Sequence, residues 1–171
     1  MFSDIDLNMK RLYTLTLLLF LSLSTMAQTN DKNIRLSVLR KGIVGKTFVF
    51  GKWTKEGETQ TDLTYLGEVK TDSGKVYKVM NSIWYWGSSH KATSRILIFD
   101  GNNIFKGDYY VTVVNNLPTK LVNREMIFDN KNNFDCDIST LSKVSFRKGI
   151  PMQFFRACKG NSGDIYSFSK P

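Results

Sequence analysis

The sequence predicts a small, mainly β domain, a single antiparallel barrel or sandwich of about lipocalin size carrying one or two short helices. Three observations support this. Apolar residues alternate with polar ones with period two along most of the chain after Lys46. Turn-forming groups rich in Gly, Asn, Asp and Pro recur between these runs. Of the 171 residues, 42% are hydrophobic and 13% aromatic, enough side-chain volume for one core.

The first residues have a different character. Lys10 and Arg11 precede an apolar run from Leu12 to Leu23 that ends at Thr25-Met26-Ala27. A basic head, a short apolar middle and small residues at the end form the pattern of a secretory signal peptide, here residues 1–27 with cleavage before Gln28. The run is short for a membrane span. Gln28, not a cysteine, stands directly after the cleavage point, which argues against a lipid anchor. Met9 stands directly before Lys10, so translation from Met9 is an alternative to Met1. Residues 28–171 then form the single β-rich domain, with no membrane span, and the expected location is periplasmic or secreted.

Residues 1–27 contain Asp4, Asp6, Lys10 and Arg11, so the remainder keeps the full net charge of +9. A charge of this sign favours an anionic partner, such as an envelope component, a glycan or an acidic protein. The basic residues are scattered, and no nucleic-acid partner is expected. Cys136 and Cys158 are the only cysteines, and in an oxidising compartment they are expected to form a disulfide.

Along the chain, Ile34, Leu36, Val38 and Leu39 before Gly42 predict a short helix stopped by the glycine. Strands follow at Thr47–Phe50 and Leu63–Val69, and Asp72-Ser73-Gly74 supplies the turn of a hairpin. In the next strand Tyr77, Val79, Ile83 and Tyr85 share one face, expected to be core. Lys78, Met80, Ser82, Trp84 and Trp86 share the other, mixed face. Further strands are expected at Arg95–Phe99, at Ile104 to Val114 beyond the Asp100-Gly101-Asn102-Asn103 turn, and at Lys120–Phe128. Pro151, Phe154, Phe155 and Gly160 carry the proline-first, glycine-last pattern of a second short helix. A last strand covers Ile165–Phe168. Gly51-Lys52-Trp53 is similar to the Gly-x-Trp that opens lipocalin barrels, in which the tryptophan plugs the closed end.

Few residues suggest catalysis. His90 is the only histidine, which excludes multi-histidine metal sites. With Ser88 and Ser89 it sits on one tight turn, where hydrogen bonding within the turn is the expected role. No phosphate loop, zinc signature or nucleophile elbow is present, and no cofactor is expected. The acidic stretch from Asp129 to Asp137 offers oxygen ligands without EF-hand spacing. An enzyme reading would rest on carboxylates such as Glu68, Asp100 or Asp108 facing one cleft. The best binding candidates are Trp84 and Trp86, two residues apart on one strand face, where paired indoles grip sugars, apolar ligands or protein side chains.

Leu63-Thr64, Ser73-Gly74-Lys75-Val76-Tyr77, Ile83, Trp86 and Ala92-Thr93 together resemble the central segment of the periplasmic and membrane-bound inhibitors of C-type lysozyme. That resemblance covers about residues 63–93 and implies an exported β-barrel with a disulfide whose Ser-Gly-x-x-Tyr loop enters the lysozyme cleft. Ser73 and Tyr77 would be the matching positions, Ser73 acting near the enzyme's carboxylates. The family's first serine is Thr71 here, and its lysine after the tryptophan is Ser88, leaving Lys91 nearby. From the residues themselves, the expectation is a non-enzymatic exported binding protein.

Overall fold

The computed structural model describes residues 31–131 and 133–171. The expected leader therefore lies outside the described residues. Among the described residues, 31–37 belong to one unit and Val38–Pro171 to another. The first contributes the opening turns of a helix, α1, which runs over 31–41. Gly42 ends it in a left-handed conformation at φ 62°, with its N–H donating to the Val38 carbonyl at 3.2 Å, as the sequence predicts.

All ten strands of the described residues lie in the second unit: β1 (Thr47–Gly51), β2 (Gln60–Lys70), β3 (Val76–Trp86), β4 (Lys91–Asp100), β5 (Phe105–Val111), β6 (Lys120–Val122), β7 (Glu125–Asp129), β8 (Leu141–Ser145), β9 (Gln153–Lys159) and β10 (Ser162–Ser169). The seven-stranded sheet has the order β1-β2-β3-β4-β5-β10-β9, and a three-stranded sheet has the order β6-β7-β8. Every pairing is antiparallel. The fold is mainly β, but its strands do not close into a barrel. Trp53 consequently plugs nothing. Its indole Nε1 donates to the Gly87 carbonyl at 2.8 Å, at the end of the β3–β4 hairpin.

One core joins the two sheets. Val79, Ile96, Ile98, Tyr109 and Val111 of the larger sheet pack in the same cluster as Met126, Phe128 and Val144 of the smaller. The opposite face of the larger sheet is also buried at its middle, where Leu63, Tyr65, Met80, Leu97 and Phe99 are all covered. This explains why β3 is buried on both faces from Val79 to Ser82, so that Met80, placed by its parity on the mixed face, has no exposed surface. Towards Trp86 the cover ends.

Besides β8, which the sequence reading does not anticipate, two elements differ from expectation. Gln153–Lys159, predicted as a helix, is strand β9: Phe154 and Arg156 are buried while Phe155 is exposed. This is period two, and pairing with β10 outweighs the terminal proline and glycine. The single strand expected over Lys120–Phe128 is two, β6 and β7, because Asn123 and Arg124 both take positive φ, 51° and 68°, and reverse the chain. Arg124 is held there by Asp72, which accepts from its Nη1 at 2.6 Å, and by the Phe146 amide, which donates to its carbonyl at 2.9 Å.

The expected disulfide is present: Cys136 and Cys158 are bonded, 22 residues apart in sequence. The acidic stretch beside it is organised by its own side chains. Asn130 donates to the Asp137 carbonyl at 2.9 Å, and the Ser139 hydroxyl and amide hold the Asp137 carboxyl below the usual carboxylate range. Among the described residues no group of three or more His, Cys, Asp and Glu side chains could hold a metal ion. No helix among them is long and apolar enough to cross a membrane.

Candidate functional site

Directly paired residues of antiparallel strands point to the same face. The register therefore places Trp84 beside Thr93 and Trp86 beside Lys91, all on the face opposite the core. The two indoles stack with ring centroids 5.7 Å apart and planes 21° apart. Trp86 is oriented by its Nε1, which donates to the Thr93 hydroxyl at 3.1 Å, and Lys91 Nζ lies 5.3 Å from the Trp86 ring centroid. Trp84 remains 42% exposed. The result is an aromatic surface with a positive charge at its side, held on the paired strands β3 and β4. Among the described residues Lys91 forms no ion pair.

Two rungs along the same face, Arg95 continues the pattern. Its guanidinium lies 5.5 Å from the ring of Tyr110, its partner on β5, and donates from Nη1 to Asp108 at 2.7 Å. Period two on β4 marks Lys91, Thr93 and Arg95 as one face, but adding Tyr110 needs the three-strand register.

A second aromatic group occupies the other face of the same hairpin end. His90, in a left-handed conformation at φ 52°, donates its backbone N–H to the Gly87 carbonyl at 3.2 Å, the turn bonding expected of it. Its ring also contacts Trp53 at 4.2 Å and Tyr85 at 4.9 Å. Burial first, and then the Asp62 carboxylate, push the Tyr85 hydroxyl above its ordinary range. Gln60 joins the group by donating to Asp62 at 2.9 Å. The indoles of Trp84 and Trp86 and the phenol of Tyr85 thus stand on opposite sides of one strand end.

Ser73 and Tyr77 are not part of this assembly. They lie at the far end of β3, where Tyr77 is seven residues from Trp84, about 23 Å along an extended strand. Ser73 is exposed at the hairpin tip with its hydroxyl 3.0 Å from that of Thr71. Tyr77 instead packs half-buried against the core. The turn itself is anchored, because the Asp72 amide donates to the Arg147 carbonyl at 2.9 Å.

Two of the three carboxylates are engaged by hydrogen bonds. Asp100 accepts from the amides of Asn102 and Ile104, each at 2.9 Å, and Asp108 accepts from Arg95. Glu68 is exposed on β2 opposite Lys78. Comparison of the chain with protein-family models, with curated proteins and with solved structures finds no match.

Proposed function

We propose that this chain is an exported, non-enzymatic binding protein that engages its ligand or partner through Trp84, Trp86 and Lys91. The carrying observation is the stacked indole pair at the uncovered end of the β3–β4 hairpin, with Trp84 exposed and Lys91 beside Trp86. An exposed aromatic pair gives a binding surface much apolar contact at low entropic cost. Export is supported by the signal-like residues 1–27 and fits a Cys136–Cys158 bond. The test is capture from an envelope extract by the exported protein and by a folded Trp84→Ala, Trp86→Ala double variant. Loss of a specific component in the variant supports the platform, and identical capture by both removes it.

A second reading, inhibition of C-type lysozyme, is favoured by the exposed position of Ser73 at the hairpin tip. It predicts that excess protein blocks lysis of cell walls by that enzyme, an effect lost in Ser73→Trp. Unimpeded lysis removes it.

A further inference from the structure

We propose that the indole platform continues across β4 onto β5 and that the whole strip takes an acidic polysaccharide chain lying along the sheet. This rests on the reading of Trp84 and Trp86 as a ligand-binding pair. The pairings Trp86 with Lys91, Trp84 with Thr93, Ser82 with Arg95 and Arg95 with Tyr110 put all these side chains on one surface. Trp84 and Tyr110 are its exposed rings, at 42% and 51%. Each end of the strip joins an aromatic ring to a cation, Trp86 to Lys91 and Tyr110 to Arg95.

The charges are arranged for an anion. The Arg95 side chain is 42% exposed and that of Asp108, one rung along the same face of β5, 14%, so the ion pair orients the guanidinium and offsets part of its charge while the arginine keeps access to solvent. Lys91 is exposed and supplies the positive group that no described carboxylate pairs, and the chain as a whole carries +9. A uronic-acid-type residue matches both properties, because its C–H face packs on an aromatic ring while its carboxylate meets a neighbouring cation. The dimensions call for a chain and not a single sugar. From the Trp86 rung to the Arg95 rung is four residue steps, about 13 Å, and β3 to β5 adds two strand spacings of about 4.8 Å each.

The experiment measures binding of hexagalacturonate, digalacturonate and a neutral hexaglucan to the exported protein by tryptophan fluorescence and calorimetry. Hexagalacturonate is expected to bind at least tenfold more tightly than digalacturonate and to weaken as sodium chloride is raised, and the neutral hexamer is expected not to bind. Tyr110→Ala is expected to lower hexagalacturonate affinity about fivefold to tenfold, with little change for digalacturonate, while Tyr110→Phe keeps the affinity. Thermal unfolding of each variant confirms that it is folded. If hexagalacturonate binds no better than the neutral hexamer, or if polyglutamate or anionic vesicles bind more tightly, the polysaccharide assignment is overturned. If Tyr110→Ala binds like the parent while Trp84→Ala does not, the extended strip is overturned and the indole pair stands. If neither variant changes binding, both fall.

Discussion

The Arg156 guanidinium, with none of its surface exposed, donates from Nη2 to Oδ1 of Asn130 at 2.5 Å. The same nitrogen reaches the Asn115 carbonyl at 3.4 Å, and Nη1 lies 3.8 Å from the Cys136 sulfur. No carboxylate within ion-pair distance accompanies it among the described residues. Burial pulls the arginine below its ordinary range, partly offset by Tyr166, Asp164 and Asp129. This side chain ties the loop after β7 to strand β9.

Arg156→Met is expected to destabilise the fold by about 1–3 kcal/mol, because Asn130 Oδ1 is left buried without its donor. Asn130→Leu should also destabilise, since it removes the acceptor of Arg156 and the amide that donates to the Asp137 carbonyl, and the double variant should lose less than the sum of the two singles because their shared bond is lost once. Urea denaturation of the single and double variants checks both outcomes. Losses that simply add in the double variant would show that the Arg156–Asn130 bond is not where the cost arises.

Ser94 is 1% exposed, and its hydroxyl has no hydrogen-bond partner among the described residues. Ser94→Ala should therefore be neutral or stabilising by up to about 1 kcal/mol. Asn81 sits on the same face, one rung along the sheet; its Oδ1 also lacks a partner among the described residues, but its Nδ2 donates to the Pro118 carbonyl at 2.8 Å, so Asn81→Ala, which strands that carbonyl, should cost about 1–2 kcal/mol. Equal losses in the two variants would refute the contrast.

Gly107 is the glycine where the backbone leaves least choice. Its φ is +137°, and a Cβ there would stand 2.1 Å from the Ser169 carbonyl oxygen and 2.6 Å from Cζ of Phe168. Gly107→Ala should cost about 3 kcal/mol by separating β5 from β10. Its unfolding midpoint should fall well below that of Gly45→Ala, where a Cβ meets nothing within 4 Å.

Stability should decline above pH 10. Burial holds the Tyr65, Tyr85, Tyr109 and Tyr166 hydroxyls above their ordinary range, most strongly at Tyr109, which donates to the Pro151 carbonyl at 2.5 Å. Unfolded tyrosine ionises near pH 10, so above that pH the unfolded chain binds fewer protons than the folded one. The stabilisation is complete below about pH 10 and is lost as pH rises towards the folded values. Denaturation midpoints across this range, with phenolate absorbance followed in parallel, test it. Flat midpoints would contradict the assignment.

The most legible parts of the sequence were those governed by local rules. Gly42 stops α1, Asp72-Ser73-Gly74 turns β2 into β3, and the alternation of Val79 and Ile83 marks a core face. Strand β9 was obscured because one of its two fully inward positions is Arg156, which breaks the apolar alternation that identifies a strand. Strand β8 carries a weak signal for a similar reason: its buried positions are Ser142 and Val144, only one of them apolar. The turn at Asn123-Arg124 carries no glycine, and Arg124 is held there by Asp72, 52 positions earlier. At the site, Trp84, Trp86 and Lys91 lie on one hairpin and were within reach of local reasoning. Pairing Arg95 with Tyr110, or His90 with Trp53, depends on contacts between separate segments.

Strand β9 ends the larger sheet, and the terminal strand of a sheet is ordinarily a template on which a neighbouring molecule can add its own. Here the Ala157 amide donates to the Ser142 hydroxyl at 2.9 Å and the Cys158 carbonyl accepts from the Asp137 amide at 2.8 Å, with the disulfide fastening the same point. The covalent bond thus acts as a guard against edge-to-edge association as well as a constraint on the unfolded chain.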